Sequence, residues 1–443
     1  MLGYVVIASK HNVAELEVCL EIKPDVLLVV VSDFIAKEGA AERFRSKLAE
    51  VLPHTQVHLL GSAGVVSLSG DDAERDAAWV REVFQPACAA WRRSCERMII
   101  NITGGTKLLA MLLKEAYDWD AIHYQALGKQ TIQELTNTGN HLGFLRTIPC
   151  RKRAELPDIA SLYNVKVEKS RPNPLFTSAA CREVADALHQ WALTEYRRRV
   201  MGEAVCHPWQ PLAHWVVQSG VWWREGAENT ATIAWEELLA GYPQVTREDV
   251  VQWAELLNQL DTSQRWIHWD EKNINLPRAC KKETAKSKDW RRFIISDWFE
   301  WLMGEWLKEI SPASQVAISI KAKDAEASQG READVLWRNK GDLWVMELKV
   351  ALPDGKTPRQ DLDQLRSLED GFGMAKKALV VSPYYLTLLD KQQRTALDKG
   401  YVSSEKVRVV AAISARSLYE ALNSSLNFVG DEGVREVIIS ADV

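Results

Sequence analysis

An alternation in the first 150 residues restricts the fold more than any other feature. Short apolar runs at Tyr4–Ala8, Val26–Val31, Gln56–Leu60, Met98–Ile102 and Ala121–Gln125 are separated by helical stretches at Val13–Glu21, Ala41–Val51, Asp72–Trp91 and Thr106–Trp119. Uninterrupted apolar runs of this length suit strands buried on both faces, as in a parallel sheet. Parallel neighbours need a crossover connection, usually a helix. The pattern therefore predicts a Rossmann-like, doubly wound α/β unit over 1–150.

The rhythm then breaks. Pro157, Pro172 and Pro174 fall close together after the basic run Arg151-Lys152-Arg153, the mark of a linker. Residues 151–288 are expected to be this linker and a helical, Trp-rich segment. Trp235–Tyr242 and Thr246–Leu260 resemble two helices joined by a short turn, and Arg265–Asn275 alternates like a hairpin. That order is compatible with a winged-helix-like insert. The nine tryptophans between Trp191 and Trp269 serve either as packing between helices or as platforms for stacked bases. A third unit, 289–443, opens with an amphipathic helix carrying Trp290, Ile294, Trp298, Trp301, Leu302 and Trp306. Strands are expected at Val316–Ile320, Ala333–Trp337, Leu343–Glu347, Ala378–Val381 and Val407–Ala411, giving a second α/β unit.

Lys and Arg number 55 against 60 Asp and Glu, a formal net charge of −5. A protein that coats nucleic acid constitutively is usually basic, so any nucleic-acid work must be local or gated. The seven cysteines form no CxxC pair, which disfavours a zinc ribbon or a disulfide framework and suits a reducing cytoplasm. No apolar stretch is long enough to span a bilayer, so no membrane partner is expected.

Two segments carry chemistry. The first, Asn101-Ile102-Thr103-Gly104-Gly105-Thr106-Lys107, lies where a buried strand ends and a helix begins. Gly104 and Gly105 allow a tight turn and close approach of a ligand. The helix start offers free N–H groups, Thr103 and Thr106 add hydroxyls, and Lys107 adds a positive charge. Neither GxxxxGK[ST] nor GxGxxG is present. On these residues alone, an anion cradle and a structural turn with a helix cap are equally served. The string NITGGTK closely resembles the ligand motif of CARF domains, the CRISPR-associated Rossmann fold. The polar loop Ser9-Lys10-His11-Asn12 after the first strand resembles that family's second feature. The resemblance covers about 1–150. It implies a homodimer binding cyclic oligoadenylate, with Ser9 and Asn12 contacting ligand and Thr103, Gly104, Gly105, Thr106 and Lys107 cradling phosphate and ribose. Ser32-Asp33 is a weaker candidate, equally readable as a cap.

The second segment is a hairpin, Arg331–Trp337 and Leu343–Val350. Alternation in a strand puts Glu347 and Lys349 on one face, and Asp334 can lie opposite them. Charges inside apolar strands are costly unless paired or bound to metal. Asp334 and Glu347 offer the hard oxygens that Mg²⁺ or Mn²⁺ prefers, with the Leu348 carbonyl a third candidate ligand. Lys349 would then act on the attacking water or on phosphate charge. A buried salt bridge is the plainer alternative. Asp, a turn, then Glu-x-Lys resembles the PD-(D/E)xK nuclease superfamily, over about 289–415. That resemblance implies an acidic residue on the preceding helix, placed at Glu309 with Glu305 one turn earlier, and a polar helix residue after the hairpin, placed at Gln364.

A CARF sensor followed by such a nuclease resembles the CRISPR ancillary nucleases activated by cyclic tetra-adenylate. The resemblance implies a metal-dependent endonuclease of type III defence, acting on DNA, RNA or both. The competing expectation is a ligand-responsive CARF transcription regulator whose winged-helix-like segment binds DNA. A HEPN-type ribonuclease would need an Arg–His pair in the C-terminal part, and no His follows His268.

Overall fold

The computed structural model describes residues 1–10, 12–62, 64, 66–125, 131–138, 141–162, 165–169, 173–204, 206–213, 230–277, 284–312, 314–324, 331–339, 342–351, 356–367, 375–390, 392–394 and 407–423. It is a mixed α/β chain with three sheets.

The first sheet contains β1 (Leu2–Ile7), β2 (Val26–Val30), β3 (Gln56–Leu60), β4 (Arg97–Asn101), β5 (Ala121–Tyr124), β6 (Thr131–Thr138) and β7 (His141–Pro149). Its order is β3-β2-β1-β4-β5-β6-β7. β1 to β5 are parallel, as their apolar runs predict, and β6 and β7 add an antiparallel hairpin. Strand order reverses between β1 and β4, so the crevice beyond their carboxyl ends is the place where such sheets hold ligands. Apolar cores cover both faces, one around Val6, Leu16 and Phe44 and the other around Ile7, Trp79 and Leu109.

The segment expected as a linker is built into the units it joins. Its helix Leu156–Leu162 places Ile159 and Leu162 in the first unit's core. Its strand β8 (Val165–Lys169) is the edge of the C-terminal sheet, paired with β12 (Gln315–Asp324). A small antiparallel sheet then forms from β9 (Thr230–Ala234), β10 (His268–Trp269) and β11 (Asn273–Pro277), in the order β10-β11-β9. It accompanies the helices Trp235–Leu239 and Arg247–Asn258. Thr246 and Asp249 form a capping box that fixes the second helix start.

The third sheet runs β16-β15-β14-β13-β12-β8, with β13 (Arg331–Asn339), β14 (Asp342–Lys349), β15 (Lys376–Val381) and β16 (Val407–Ala411). All five strands expected in this region form. The helix Trp298–Ile310 crosses β12, and at Gly304 a side chain would collide with Ile318. Trp191, Trp209, Trp290, Trp298, Trp337 and Trp344 are fully buried in one core that spans the middle and C-terminal parts. These rings pack; they do not offer faces to solvent. Trp215, Trp222 and Trp223 lie outside the described residues.

Candidate functional site

Two constellations form where the sequence placed chemistry. The first lies beyond the ends of β1 and β4. Ser9 N–H donates to Asn12 Oδ1 (2.8 Å), and Asn12 N–H donates to Ser9 Oγ (3.0 Å). This reciprocal pair holds Asn12 at φ 49°, a left-handed conformation that asparagine tolerates. Asn12 starts the helix Val13–Ile22. Across the crevice, Thr103 N–H donates to Asn101 Oδ1 (2.9 Å), and Thr103 Oγ1 accepts from Gln125 N–H (2.9 Å). Gly104 presses so closely on the Ile7 carbonyl and the Glu15 carboxyl that no Cβ fits, and Gly105 sits at φ 72°. Thr106 caps the helix Lys107–Glu115 through Leu109 N–H (3.2 Å) and also reaches the Gly70 carbonyl. Lys107 is exposed at that helix start.

Two buried amide groups face no acceptor among the described residues: Nδ2 of Asn12 and Nδ2 of Asn101. A buried donor without a partner is costly, and a ligand atom is one way to satisfy it. Unsatisfied donors after β1 and at the end of β4, a helix start and an exposed lysine suit an anionic, oxygen-rich ligand. Glu15 lies under the same turn, and burial pushes its carboxyl up to about 7. Sequence reasoning missed both Asn101 and Glu15. Asn101 is polar at the end of an apolar strand, and Glu15 stands in the first turn of an apolar helix. Ser32 is buried at the start of the short helix Asp33–Lys37, and Asp33 accepts from Ser62 Oγ (2.5 Å), a local contact. His11 lies outside the described residues.

The second constellation is on β13 and β14. Val335 pairs with Met346, so Asp334 and Glu347 stand directly opposite on adjacent strands. Asp334 Oδ2 accepts from Leu348 N–H (2.7 Å), and Lys349 Nζ is ion-paired with Glu347 Oε1. Glu347 is 1% exposed. Burial pulls the Lys349 pKa down, but Glu347, Asp334 and Asp361 together outweigh it and leave it above the usual lysine value. Lys349 is therefore an ammonium held among carboxylates. Asp361, on the helix Pro358–Ser367, is also buried and accepts from the Tyr385 hydroxyl (3.0 Å). Burial raises its pKa, against the pull of Lys349. Ser382 N–H donates to the Lys349 carbonyl (2.9 Å), tying this strand end to the turn that carries Tyr385.

The expected helix carboxylates are not brought to this group. Glu309 is half exposed and pairs with Arg182 (2.5 Å), while Glu305 pairs with Lys308 (2.6 Å). The carboxylate turned toward the strands is Glu300, which accepts from Ser319 Oγ (2.8 Å). Ile318 pairs with Val335 and Ile320 with Ala333, so Ser319, at φ 53°, stands opposite Asp334. A charged residue inside the apolar run Trp298–Met303 was the available signal for Glu300. Gln364 belongs to the helix Pro358–Ser367, and its side chain lies outside the described residues.

Among the described residues no three His, Cys, Asp or Glu side chains come together as a complete metal cage. Asp334 and Glu347 are instead two hard-oxygen donors on facing positions of adjacent strands. That donor set fits Mg²⁺ or Mn²⁺, which bind through one or two carboxylates and keep water or substrate oxygens. The six cysteines among the described residues are free thiols, five of them buried. No helix among them is long and apolar enough to cross a membrane.

No protein-family model matches the chain, and no curated protein matches it. Solved structures do. VC1899 from Vibrio cholerae aligns with a TM-score of 0.64 at 13% identity, over 95% of this chain and 97% of that one. Can2 from Sulfobacillus thermosulfidooxidans, solved in complex with cyclic tetra-adenylate (cA4), aligns with a TM-score of 0.58 at 16% identity, over 95% of this chain and 98% of that one. The likeness is one of fold, and it extends over nearly the whole chain.

Proposed function

We propose that the chain is a cyclic oligoadenylate-activated, metal-dependent nuclease of type III CRISPR defence, working in the cytoplasm. The observation that carries the reading is the convergence of Asp334, Glu347 and Lys349 on one strand pair. The fold shared with Can2, which was solved with cA4, and the unsatisfied donors of Asn12 and Asn101 support the sensor half. In this reading the N-terminal unit is a CARF domain, the β9–β11 unit a winged-helix-like insert, and the C-terminal unit a PD-(D/E)xK domain. Two copies form a homodimer whose paired crevices read cA4, a ring with matching symmetry. Ser9, Asn12, Thr103, Gly104, Gly105, Thr106 and Lys107 line each half-site, and Asn101 joins them.

Asp334, Glu347 and the Leu348 carbonyl would hold the divalent cation. When bound, it supplies Lewis-acid polarisation of the phosphodiester. Because Lys349 is held as an ammonium, its role is to neutralise charge growing on the phosphate oxygens rather than to remove a proton. The Leu348 N–H bond orients Asp334. The role implied for Glu309 is assigned instead to Glu300, whose carboxylate accepts from Ser319, the residue opposite Asp334. Asp361 and Tyr385 set the field and the position of Lys349. DNA, RNA or both are substrates of this chemistry.

The regulator reading is weakened by charge. The exposed face of the helix Arg247–Asn258 presents Glu248, Gln252 and Glu255, and the preceding helix presents Glu236 and Glu237. Such faces repel a phosphate backbone. The test is cleavage of labelled single- and double-stranded DNA and RNA with Mn²⁺ or Mg²⁺, with and without cA4. Cleavage is expected to require metal and to be strongly stimulated by cA4, and E347A should lower it by roughly 10²–10³-fold. Equal cleavage by wild type and E347A overturns the assignment.

A further inference from the structure

The helix Val13–Ile22 touches the first constellation and the strand that carries the second. Its start is the Ser9–Asn12 loop, and Glu15 lies against Gly104. Two residues on, Glu17 points out of the N-terminal unit. Its Oε2 accepts from Arg153 Nη1 (2.8 Å), and its Oε1 accepts from Ala154 N–H (3.2 Å) and is ion-paired with Arg338 Nη2. Arg338 Nη1 also donates to the Ala154 carbonyl, which accepts from Gln315 Nε2 as well (3.4 Å). Glu17 is 3% and Arg338 5% exposed. Arg338 belongs to β13, the strand of Asp334. They are four positions apart, so both side chains stand on one face of that strand. Opposite Arg338, Leu343 of β14 packs against the apolar cores of both units.

We propose that Arg338 is a positioning residue through which the ligand-loop helix sets the place of Asp334. The proposal rests on the reading of the preceding subsection. Its physical basis is the cost of stranding a buried charge. If ligand shifts the helix Val13–Ile22, Glu17 cannot leave Arg338 behind without stranding a buried guanidinium whose one carboxylate partner among the described residues is Glu17. The displacement is passed to β13, whose ladder with β12 and β14 makes it stiff. The far end of that strand carries Asp334 between Ser319 and Glu347. The ligand favours the arrangement in which the pair and the crevice are satisfied together.

The experiment uses the full-length protein and the variants E17Q, R338Q, R338K and the double variant E17Q/R338Q. Calorimetry gives cA4 affinity, and cleavage with Mn²⁺ gives kcat and KM with and without cA4. Affinity for cA4 and unstimulated cleavage should match wild type. Stimulation of kcat by cA4 should fall about tenfold or more in E17Q and in R338Q, and the double variant should lose no more than the worse of these two. R338K should recover part of the response. Folded E17Q and R338Q that keep the wild-type stimulation overturn the proposal. Hydrogen exchange on wild type probes the same coupling without any substitution. Addition of cA4 should change protection in 331–339 and 342–349, and a response confined to 9–22 overturns the proposal. A wild-type protein indifferent to cA4 overturns the functional reading itself and this proposal with it; a responsive wild type with indifferent variants overturns this proposal alone.

Discussion

At the scale of single residues, the helix carboxylates divide cleanly by partner. Glu309 faces solvent and Arg182, an exposed pair of the kind worth about 0–1 kcal/mol. Glu300 is bound to Ser319, across the strand from Asp334. E300Q is therefore expected to lower metal-dependent cleavage by roughly 10–100-fold, as loss of a supporting carboxylate commonly does, while E309Q leaves it unchanged. Parallel assays of the two variants decide the matter, and the reverse order would return the role to Glu309. Glu15 makes a different prediction. Its carboxyl is raised from 4.5 to about 7 by burial. As pH rises between those values, the unfolded chain gives up the proton first, so the folded state is penalised and stability falls. E15Q should raise stability at pH 8 by roughly 1–3 kcal/mol and leave it nearly unchanged at pH 4. An ionised Glu15 also opposes an anionic ligand in the crevice, so cA4 affinity should rise from pH 8 to pH 6 in wild type. Calorimetry on E15Q should find that dependence gone.

At the scale of elements, the turn after β4 is set by space. A Cβ at Gly104 would meet a backbone carbonyl, which cannot swing aside as a side chain can. G104A should open the turn and weaken cA4 binding about 5–100-fold, corresponding to strain of about 1–3 kcal/mol, with cleavage at saturating ligand largely retained. Unaltered affinity would detach the turn from binding. The elements that sequence reveals well are those with one dominant signal. β1 to β5 are apolar runs, and the β13–β14 hairpin announces itself through Asp334, Glu347 and Lys349. β6 and β7 lack such a signal because this antiparallel hairpin mixes Gln133, Glu134, Arg146 and Thr147 with its apolar residues. β8 escaped because Val165–Lys169 gains its sheet identity from β12, about 150 residues later. Glu300 was hidden for a related reason. Only the antiparallel register of β12 against β13 puts Ser319 opposite Asp334, and no local spacing encodes that register.

At the scale of the whole molecule, the C-terminal sheet is assembled from two stretches of chain, with the middle unit between them. A polypeptide beginning at residue 289 lacks β8 and exposes the pairing edge of β12. Unpaired edges of this kind invite association. Such a fragment is expected to aggregate at concentrations where the full chain remains dispersed, as light scattering would show; a monodisperse, folded fragment would contradict this. The consequence reaches into heredity. A gene segment encoding residues 289–443 is no portable cassette, because its rim strand is written upstream of everything that separates the two stretches. Recombination that exchanged one half without the other would deliver a sheet with a foreign border, so the halves of this protein are bound to descend together.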